Sequence, residues 1–271
     1  MFSNDIADYP DGIVLPVDKP YRWTSADVIR KIKWAACRHF GKKNLKVGHA
    51  GTLDPLATGI LLVCIGPATR RAEQLQASPK QYLAGVCFGA TTPSYDLEKE
   101  IDRVCPAEGV TEERIKAILP SFTGEQEQVA PLFSAKSVDG VRAYETARRL
   151  LREARERGEA FDPGDALQSS RINIYDLQLV SFSEHFKAPE PIAATEGRGR
   201  INLADVRSYD LKEAVIRVDC SKGTYIRALA RDLGEALGSG AFLGSLRRTR
   251  NGGFDIAEAL TLDQALKQLG Q

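Results

Sequence analysis

Long apolar runs are absent from this sequence, which contains no stretch of the roughly 18 apolar residues that a membrane-spanning helix needs. Residues 1–10 carry acids and no basic segment, so they lack the pattern of a secretory signal. The 271 residues, 43% of them hydrophobic, suffice for one large domain or two small ones with a sizeable core. We therefore expect a soluble protein of the cytoplasm.

The sequence also lacks the spacing of a metal site. No C-x-x-C pair occurs, and the residues that most often bind zinc are few and scattered. They are Cys37, Cys64, Cys87, Cys105, Cys220, His39, His49 and His185. We expect no zinc and no other metal, and we interpret the cysteines in apolar runs as buried hydrophobic residues.

Three common catalytic loops are missing as well. The chain has no G-x-x-x-x-G-K-[ST] phosphate loop, no G-x-G-x-x-G after its first predicted strand and no G-x-S-x-G turn. Glycosidases use two carboxylates across one bond, and no obvious partner for Asp54 is visible.

Charge is balanced overall but unevenly distributed. The net charge is +1, yet residues 19–46 contain nine Lys or Arg and one acid, and residues 222–250 contain six against two. Residues 94–127 have the opposite sign, with nine acids against four bases. Phosphates interact with the local charge of a surface rather than with the net charge of the chain. The two basic segments therefore predict a basic face that binds a polyanion. Solvated helix faces would explain the same pattern.

Periodicity predicts interleaved helices and strands. The helices are expected at 26–39, 68–76, 111–119, 143–157, 224–237 and 261–269, and the strands at 13–17, 61–65, 81–88, 172–182, 213–220 and 241–248. Residues 48–59 contain too many small residues for a regular element. Alternating strands indicate an α+β fold with a mixed, mainly antiparallel sheet flanked by helices.

Domain organisation is predicted as a single domain over 1–271. Residues 156–170 and 184–210 are charged or rich in proline and glycine, and we interpret both as surface insertions. The alternative for the second is a folded subdomain.

The most informative segment is residues 48–59, with the sequence GHAGTLDPLATG. Glycines allow a close approach to a ligand, and Pro55 restricts Asp54 to extended conformations. A lone carboxylate on such a loop can project into a cleft, which makes Asp54 a candidate catalytic residue. An Asx turn, in which Asp54 only satisfies its own backbone, is the alternative.

Three further segments carry candidate residues. In residues 221–227, Thr224 is a candidate helix cap, and an arginine in the first turn opposes the helix dipole, which suggests an anionic partner for Arg227. Tyr225 and Tyr82 suit either packing or base stacking. Residues 246–250, LRRTR, suit a phosphate-contacting rim or a charged edge strand.

Together these segments resemble the bacterial tRNA pseudouridine-55 synthase family, of the TruB type, from about residue 12 to residue 252. GHAGTLDPLATGIL resembles the catalytic loop nearly position by position, K-x-Y at 80–82 resembles a second motif and TYIR at 224–227 a third. Residues 134–145 match a further, mainly structural signature. Residues 18–25 resemble the N-terminal motif.

The resemblance assigns roles to individual residues. Asp54 falls on the catalytic aspartate, Arg227 on the arginine that pairs with it, and Tyr82 on the tyrosine that stacks on the target base. The substrate-binding positions are His49, which touches flipped-out nucleotides, Tyr225, Leu246 in the uracil pocket, and Lys19 of the N-terminal motif.

The resemblance also implies an activity. The enzyme would isomerise uridine 55 in the T-arm of tRNA, as a monomer, with no cofactor. Competing interpretations are a non-catalytic tRNA-binding chaperone, and a synthase of the same fold acting on another RNA.

Departures from the family pattern concern three places. Arg22 stands where glycine is common, so the turn there is expected to differ, and residues 91–96 match only in part. The 19 residues after Gly252 are too few for the C-terminal PUA module of many members.

Overall fold

The computed structural model describes residues 2–131, 137–138, 141–142, 169–188, 201 and 203–270. The predicted helix at 143–157 lies outside the described residues, as do residues 156–168 of the first predicted insertion and residues 189–200 and 202 of the second. Among the described residues, no helix has the length and apolar character needed to cross a membrane.

The described residues form short helices and a set of strands. The helices are α1 Ser25–His39, α2 Ala72–Ala77, α3 Glu112–Ile118, α4 Ile226–Ala236 and α5 Leu262–Gln268. The strands are β1 Ile13–Lys19, β2 Val47–Ala50, β3 Ala57–Ile65, β4 Lys80–Phe88, β5 Ala90–Thr91, β6 Arg103–Val104, β7 Gly124–Val129, β8 Ser137–Val138, β9 Val141–Arg142, β10 Ser169–Ser183, β11 Lys212–Cys220, β12 Ala241–Asn251, β13 Phe254–Asp255 and β14 Leu260–Thr261.

One large sheet dominates the fold. Its strands lie in the order β14-β1-β3-β12-β4-β11-β10-β7, with β13 added to β12 and β2 added to β3. Among the strand pairs of the described residues, only β1–β14 and β3–β12 are parallel. The predicted α+β class with a mainly antiparallel sheet is confirmed.

Capping explains where most helices begin. Thr24 and Thr261 each form a capping box with the third helical residue, which satisfies two free backbone donors. The predicted cap at Thr224 is wrong, because α4 begins one residue later and follows Tyr225. Thr224 Oγ1 instead donates to the carbonyl of Ser221 at 3.1 Å, closing the preceding turn.

The absence of regular structure over 48–59 is also a wrong prediction. β2 ends at Ala50 and β3 starts at Ala57, so only the stretch between them is irregular. Gly59 explains why small residues occur in a strand here: its φ is +98°, and a Cβ atom would lie 2.2 Å from the Arg248 carbonyl oxygen. The glycine therefore lets β3 and β12 approach each other.

Helices cover the sheet on separate apolar clusters. α1 and α5 pack on β1 and β3, around Val17, Ile32 and Leu61. α3 and α4 pack on β4 and β11, around Phe88 and Leu233. β3 lies under α1 and α5, and β12 pairs with β4, which lies under α3 and α4. β3 and β12 pair with each other over only three residues of each strand. Asp54 precedes β3 at the place where these two parts of the sheet meet.

The described ends of segment 184–210 pack on the fold. Phe186 and Val206 join the apolar cluster of Leu56 and Phe242. The backbone N–H of Phe186 donates to the Leu211 carbonyl at 2.6 Å. The described ends of this segment are therefore part of the folded core, and the surface position predicted for its remaining residues stays a prediction.

Arg22 is a further point where the chain departs from expectation. Its φ is +62°, in the left-handed region that glycine adopts at lower cost. Its guanidinium donates to the Ile201 carbonyl at 2.8 Å. The backbone at this position thus has a conformation that glycine favours, and the arginine side chain ties it to segment 184–210.

Candidate active site

The backbone around Asp54 is fixed by hydrogen bonds on both sides. Ser25 Oγ accepts from the Leu53 N–H at 2.9 Å and donates to the Leu53 carbonyl at 3.1 Å. Lys19 Nζ donates to the Pro55 carbonyl at 3.1 Å. The Asp54 carbonyl itself accepts from the Ala57 N–H at 3.1 Å. The loop that carries the carboxylate is therefore held by α1, β1 and its own turn.

Lys19 is placed under this loop rather than on its surface. It is fully buried, and its ammonium also donates to the carbonyls of Pro20 and Trp23. Burial lowers its pKa to about 7, against the opposing charge of Asp54. All its donors have backbone acceptors, which is the arrangement of a structural lysine.

Arg248 supports the loop from the opposite side. It is 1% exposed, and its guanidinium donates to the carbonyls of Ile60 at 2.7 Å, Gly51 at 3.0 Å and Thr52 at 3.4 Å. The interpretation of this arginine as a phosphate contact is wrong, and so is the edge-strand alternative, because β12 lies inside the sheet. The unpaired carbonyls of the small-residue loop require a buried donor.

Arg227 forms an ion pair with Asp54. Its Nε lies 2.9 Å from Asp54 Oδ2, and its Nη2 donates to Asp54 Oδ1 at 3.2 Å. The arginine side chain is 6% exposed and the aspartate side chain 38%. Arg227 is the second residue of α4, where the helix dipole disfavours a cation, and Asp54 is the anionic partner that offsets this.

A second carboxylate was missed by the sequence analysis. Asp96 is 4% exposed, and its Oδ2 lies 3.9 Å from Arg227 Nε. It is held by Ser94 Oγ at 2.6 Å and by the Glu98 N–H at 2.9 Å. Arg227 Nη1 also donates to the Ser94 carbonyl at 3.1 Å. The partial match at 91–96 was the available signal.

The charges in this cluster depend on one another. Burial raises the pKa of Asp96, while the Arg227 guanidinium opposes that rise. Burial disfavours the Arg227 cation, but Asp54, Asp96 and Glu98 together raise its pKa above the usual value. Arg227 therefore stays charged between two aspartates and is the centre of the network.

The other candidate residues differ in burial and in their contacts. Leu246 lines the same cavity as Asp54 and Arg227. Tyr82 is 8% exposed on β4, and burial raises its pKa. Tyr225 is tied to Gln128 through its backbone N–H and carbonyl, at 2.8 Å and 3.1 Å. His49 lies on β2, and burial lowers its pKa.

The cavity beside Asp54 is nearly closed. Its volume is about 10 Å³, enough for a single water molecule at most. Its lining comprises Asp54, Leu56, Ala57, Asp96, Arg227, Leu243, Gly244, Ser245 and Leu246. The Asp54 side chain is 38% exposed, so the carboxylate remains accessible from outside this cavity.

This arrangement favours chemistry by a carboxylate. A partly exposed aspartate on a rigid loop, paired with a buried arginine, is suited to attack carbon or to remove a proton. Within the described ranges, no group of three His, Cys, Asp or Glu side chains is placed to hold a metal ion.

Comparison with known proteins identifies relatives along nearly the whole chain. The tRNA pseudouridine synthase B of Phocaeicola vulgatus is 43% identical over 264 residues, which are 97% of this chain and 96% of that protein. The tRNA pseudouridine synthase B of Flavobacterium johnsoniae is 39% identical over 256 residues, 94% of this chain and 95% of that protein.

Solved structures share the fold. A Cbf5–Nop10–Gar1 complex contains a chain with a TM-score of 0.60 and 26% identity, covering 97% of this chain and 56% of that one. A chain of the archaeal box H/ACA sRNP Nop10–Cbf5 complex has a TM-score of 0.56 at 24% identity. It matches 96% of this chain, which spans 54% of its length.

Two family models match adjacent parts of the chain. The model for the N-terminal domain of TruB family pseudouridylate synthases matches residues 38–226, and the model for the tRNA pseudouridylate synthase B C-terminal domain matches residues 227–270. The chain belongs to the TruB family and is a pseudouridine synthase.

Proposed function

We propose that this enzyme converts uridine 55 in the T-loop of tRNA to pseudouridine, with Asp54 as the catalytic carboxylate. The observation that carries the proposal is the Asp54–Arg227 ion pair, with contacts of 2.9 Å and 3.2 Å, on a hydrogen-bonded loop next to a small cavity. The names of the curated relatives, tRNA pseudouridine synthase B, support tRNA as the substrate.

The reaction rearranges bonds without an external reagent. The bond between uracil N1 and ribose C1′ breaks, the base turns, and C5 bonds to C1′ while the C5 proton leaves and N1 takes up a proton. Nothing is oxidised or hydrolysed, so we expect no cofactor or metal. Asp54 either attacks C1′ or first removes the C2′ proton to give a glycal, and both routes need its ionised form.

The neighbouring side chains fit these steps. Arg227 pairs with both carboxylate oxygens of Asp54 and fixes the direction of the side chain. Tyr82 holds the detached uracil by stacking and assists loss of the C5 proton, and Leu246 limits hydration of the pocket. His49 and Tyr225 contact the RNA around the target. Lys19 positions the catalytic loop through the Pro55 carbonyl.

Access to the target base requires base flipping. A T-loop uridine is stacked and paired, and extruding it costs a few kcal/mol. Phosphate contacts from the exposed lysines of the two basic regions, such as Lys31, Lys33 and Lys222, offset this cost. We expect the enzyme to act as a monomer in the cytoplasm.

Two other functions compete with this one. A tRNA-binding chaperone would need the basic surfaces but not the Asp54–Arg227 pair, which stands against it. A synthase for another RNA would keep the pair and differ only in its RNA contacts.

Tritium release separates the three possibilities. Wild-type protein is incubated with a T-arm stem-loop or with other structured RNAs carrying uridine labelled at C5. Release from the target uridine of the stem-loop supports the proposal. Binding without release indicates the chaperone, and release only from other RNAs indicates the alternative synthase.

A further inference from the structure

A larger cavity adjoins the catalytic one. Its volume is about 530 Å³, which is in the range of roughly 300–1,000 Å³ typical of small-molecule sites. Leu56, Gly244, Ser245 and Leu246 line both cavities. A group in the larger cavity would therefore be a near neighbour of a base held beside Asp54.

Three adjacent strands form the floor of this cavity. Ser245 of β12, Gly85 of β4 and Val215 of β11 lie directly opposite one another in the sheet. Because side chains two apart on a strand share a face, Glu213 projects to the same side as Val215. Gly85 leaves room at the centre, since a Cβ there would lie 2.4 Å from Ser245 Oγ and 2.6 Å from Glu213 Oε1.

Glu213 gives this apolar floor a hydrogen-bond acceptor. Burial raises the pKa of its carboxyl, and among the described residues no lysine or arginine forms an ion pair with it. A half-buried carboxylate without a compensating cation is costly to the free protein and marks a candidate ligand site. The Ser245 hydroxyl beside it supplies a second polar group.

Segment 184–210 supplies part of the wall. Phe186 and the exposed Lys187 line the cavity. Two Phe186 ring carbons would lie 2.7 Å and 2.8 Å from a Cβ at Gly244. The cavity thus combines an apolar floor, an aromatic ring, one acceptor and a cation at its edge, which are the elements of nucleotide recognition.

We propose that this cavity is a second base subsite, in which Glu213 accepts a hydrogen bond from the amino group of a nucleotide next to the target uridine in the same RNA. This inference rests on the proposed function and names a determinant of its specificity. A carboxylate accepts from the exocyclic amino groups of cytosine, adenine or guanine, whereas uracil has no amino group and flanks its only base N–H donor with two carbonyl oxygens that repel a carboxylate. The shared lining of the two cavities favours a neighbour in sequence as the source.

The test couples one residue to one base. In stem-loop substrates, each amino-bearing loop nucleotide is replaced in turn by its desamino analogue, such as inosine for guanosine or purine riboside for adenosine. Affinity and the rate of tritium release are measured for wild type, Glu213→Gln and Gly85→Ala. Glu127→Gln, an exposed strand glutamate, is the matched control.

We expect one analogue to weaken wild-type binding on the order of tenfold, as for loss of a charged hydrogen bond. The same analogue should have a smaller effect in Glu213→Gln, whose amide oxygen is a neutral acceptor, and little effect in Gly85→Ala, where the new methyl displaces both polar groups. The melting temperature of Glu213→Gln should equal or exceed that of wild type, because an uncompensated buried charge is removed. A merely structural glutamate would lower it.

Other outcomes overturn the subsite. If the effects of Glu213→Gln and of every analogue are additive, Glu213 does not contact any of these bases and the subsite is contradicted. Tritium release by wild type would still support the proposed function in that case. If a free mononucleotide inhibits wild type but not Glu213→Gln, and no loop analogue depends on Glu213, the cavity binds a free nucleotide rather than a nucleotide of the RNA substrate. If wild type releases no tritium from any stem-loop, the proposed function itself fails.

Discussion

Replacing Arg227 by alanine removes the cation that separates two aspartates. The guanidinium contacts both Asp54 oxygens, at 2.9 Å and 3.2 Å, and lies 3.9 Å from Asp96. It also donates to the Ser94 carbonyl at 3.1 Å. Arg227→Ala therefore leaves two carboxylates facing each other, one of them 4% exposed.

The expected loss of stability follows from this geometry. Breaking a buried ion pair by removing one partner costs about 3–5 kcal/mol. The Asp54 side chain is 38% exposed, so water compensates part of its charge, and we expect about 3 kcal/mol. A domain of this size then melts roughly 6–12 °C lower. Loss of carboxylate orientation should slow catalysis by on the order of 100-fold or more.

The assay combines thermal unfolding with single-turnover tritium release. Arg207→Ala is the matched control, since Arg207 pairs with Asp205 at 2.5 Å but its side chain is 61% exposed. That control should change stability by less than about 1 kcal/mol and leave the rate unchanged. Equal melting temperatures for Arg227→Ala and Arg207→Ala, with a wild-type rate for both, would refute the central role of the Arg227 network.

Three further predictions concern the loop and the base. Burial lowers the Lys19 pKa from 10.5 to about 7, so the unfolded chain binds more protons than the folded protein between those values. Stability should rise with pH across this window, and Lys19→Met should remove the rise; parallel profiles from urea unfolding would contradict it. Gly59→Ala should destabilise by about 3 kcal/mol, because φ is +98° and its Cβ would meet the Arg248 carbonyl. Gly253→Ala, in open space, is the control, and equal losses in denaturant unfolding would argue against this reasoning. Tyr82→Phe should bind RNA within a few-fold of wild type yet release tritium more slowly, and an unchanged rate would remove its hydroxyl from the mechanism.

Local patterns predicted the elements with strong periodicity. The apolar spacing and the Thr24 cap predicted a helix at 26–39, and the structure has α1 at Ser25–His39. The alternation at 213–220 likewise predicted β11, observed at Lys212–Cys220. These signals are visible in sequence because each depends on residues close in the chain.

Features that depend on distant contacts were not predictable in the same way. Arg248 looked like a surface cation, because nothing near it in sequence indicates that the carbonyls of the 48–59 loop would surround it. Asp96 was missed since its partner, Arg227, lies 131 positions further along. The second cavity needed the register of β4, β11 and β12 before Glu213 and Ser245 could be placed together.

The most direct measurement concerns Asp54 itself. Asn keeps the shape of the side chain but can neither attack C1′ nor take a proton. We predict that Asp54→Asn binds an unmodified T-arm stem-loop within a few-fold of wild type and releases no tritium in a single turnover. Release at a rate near that of wild type would contradict the assignment of Asp54 as the catalytic group.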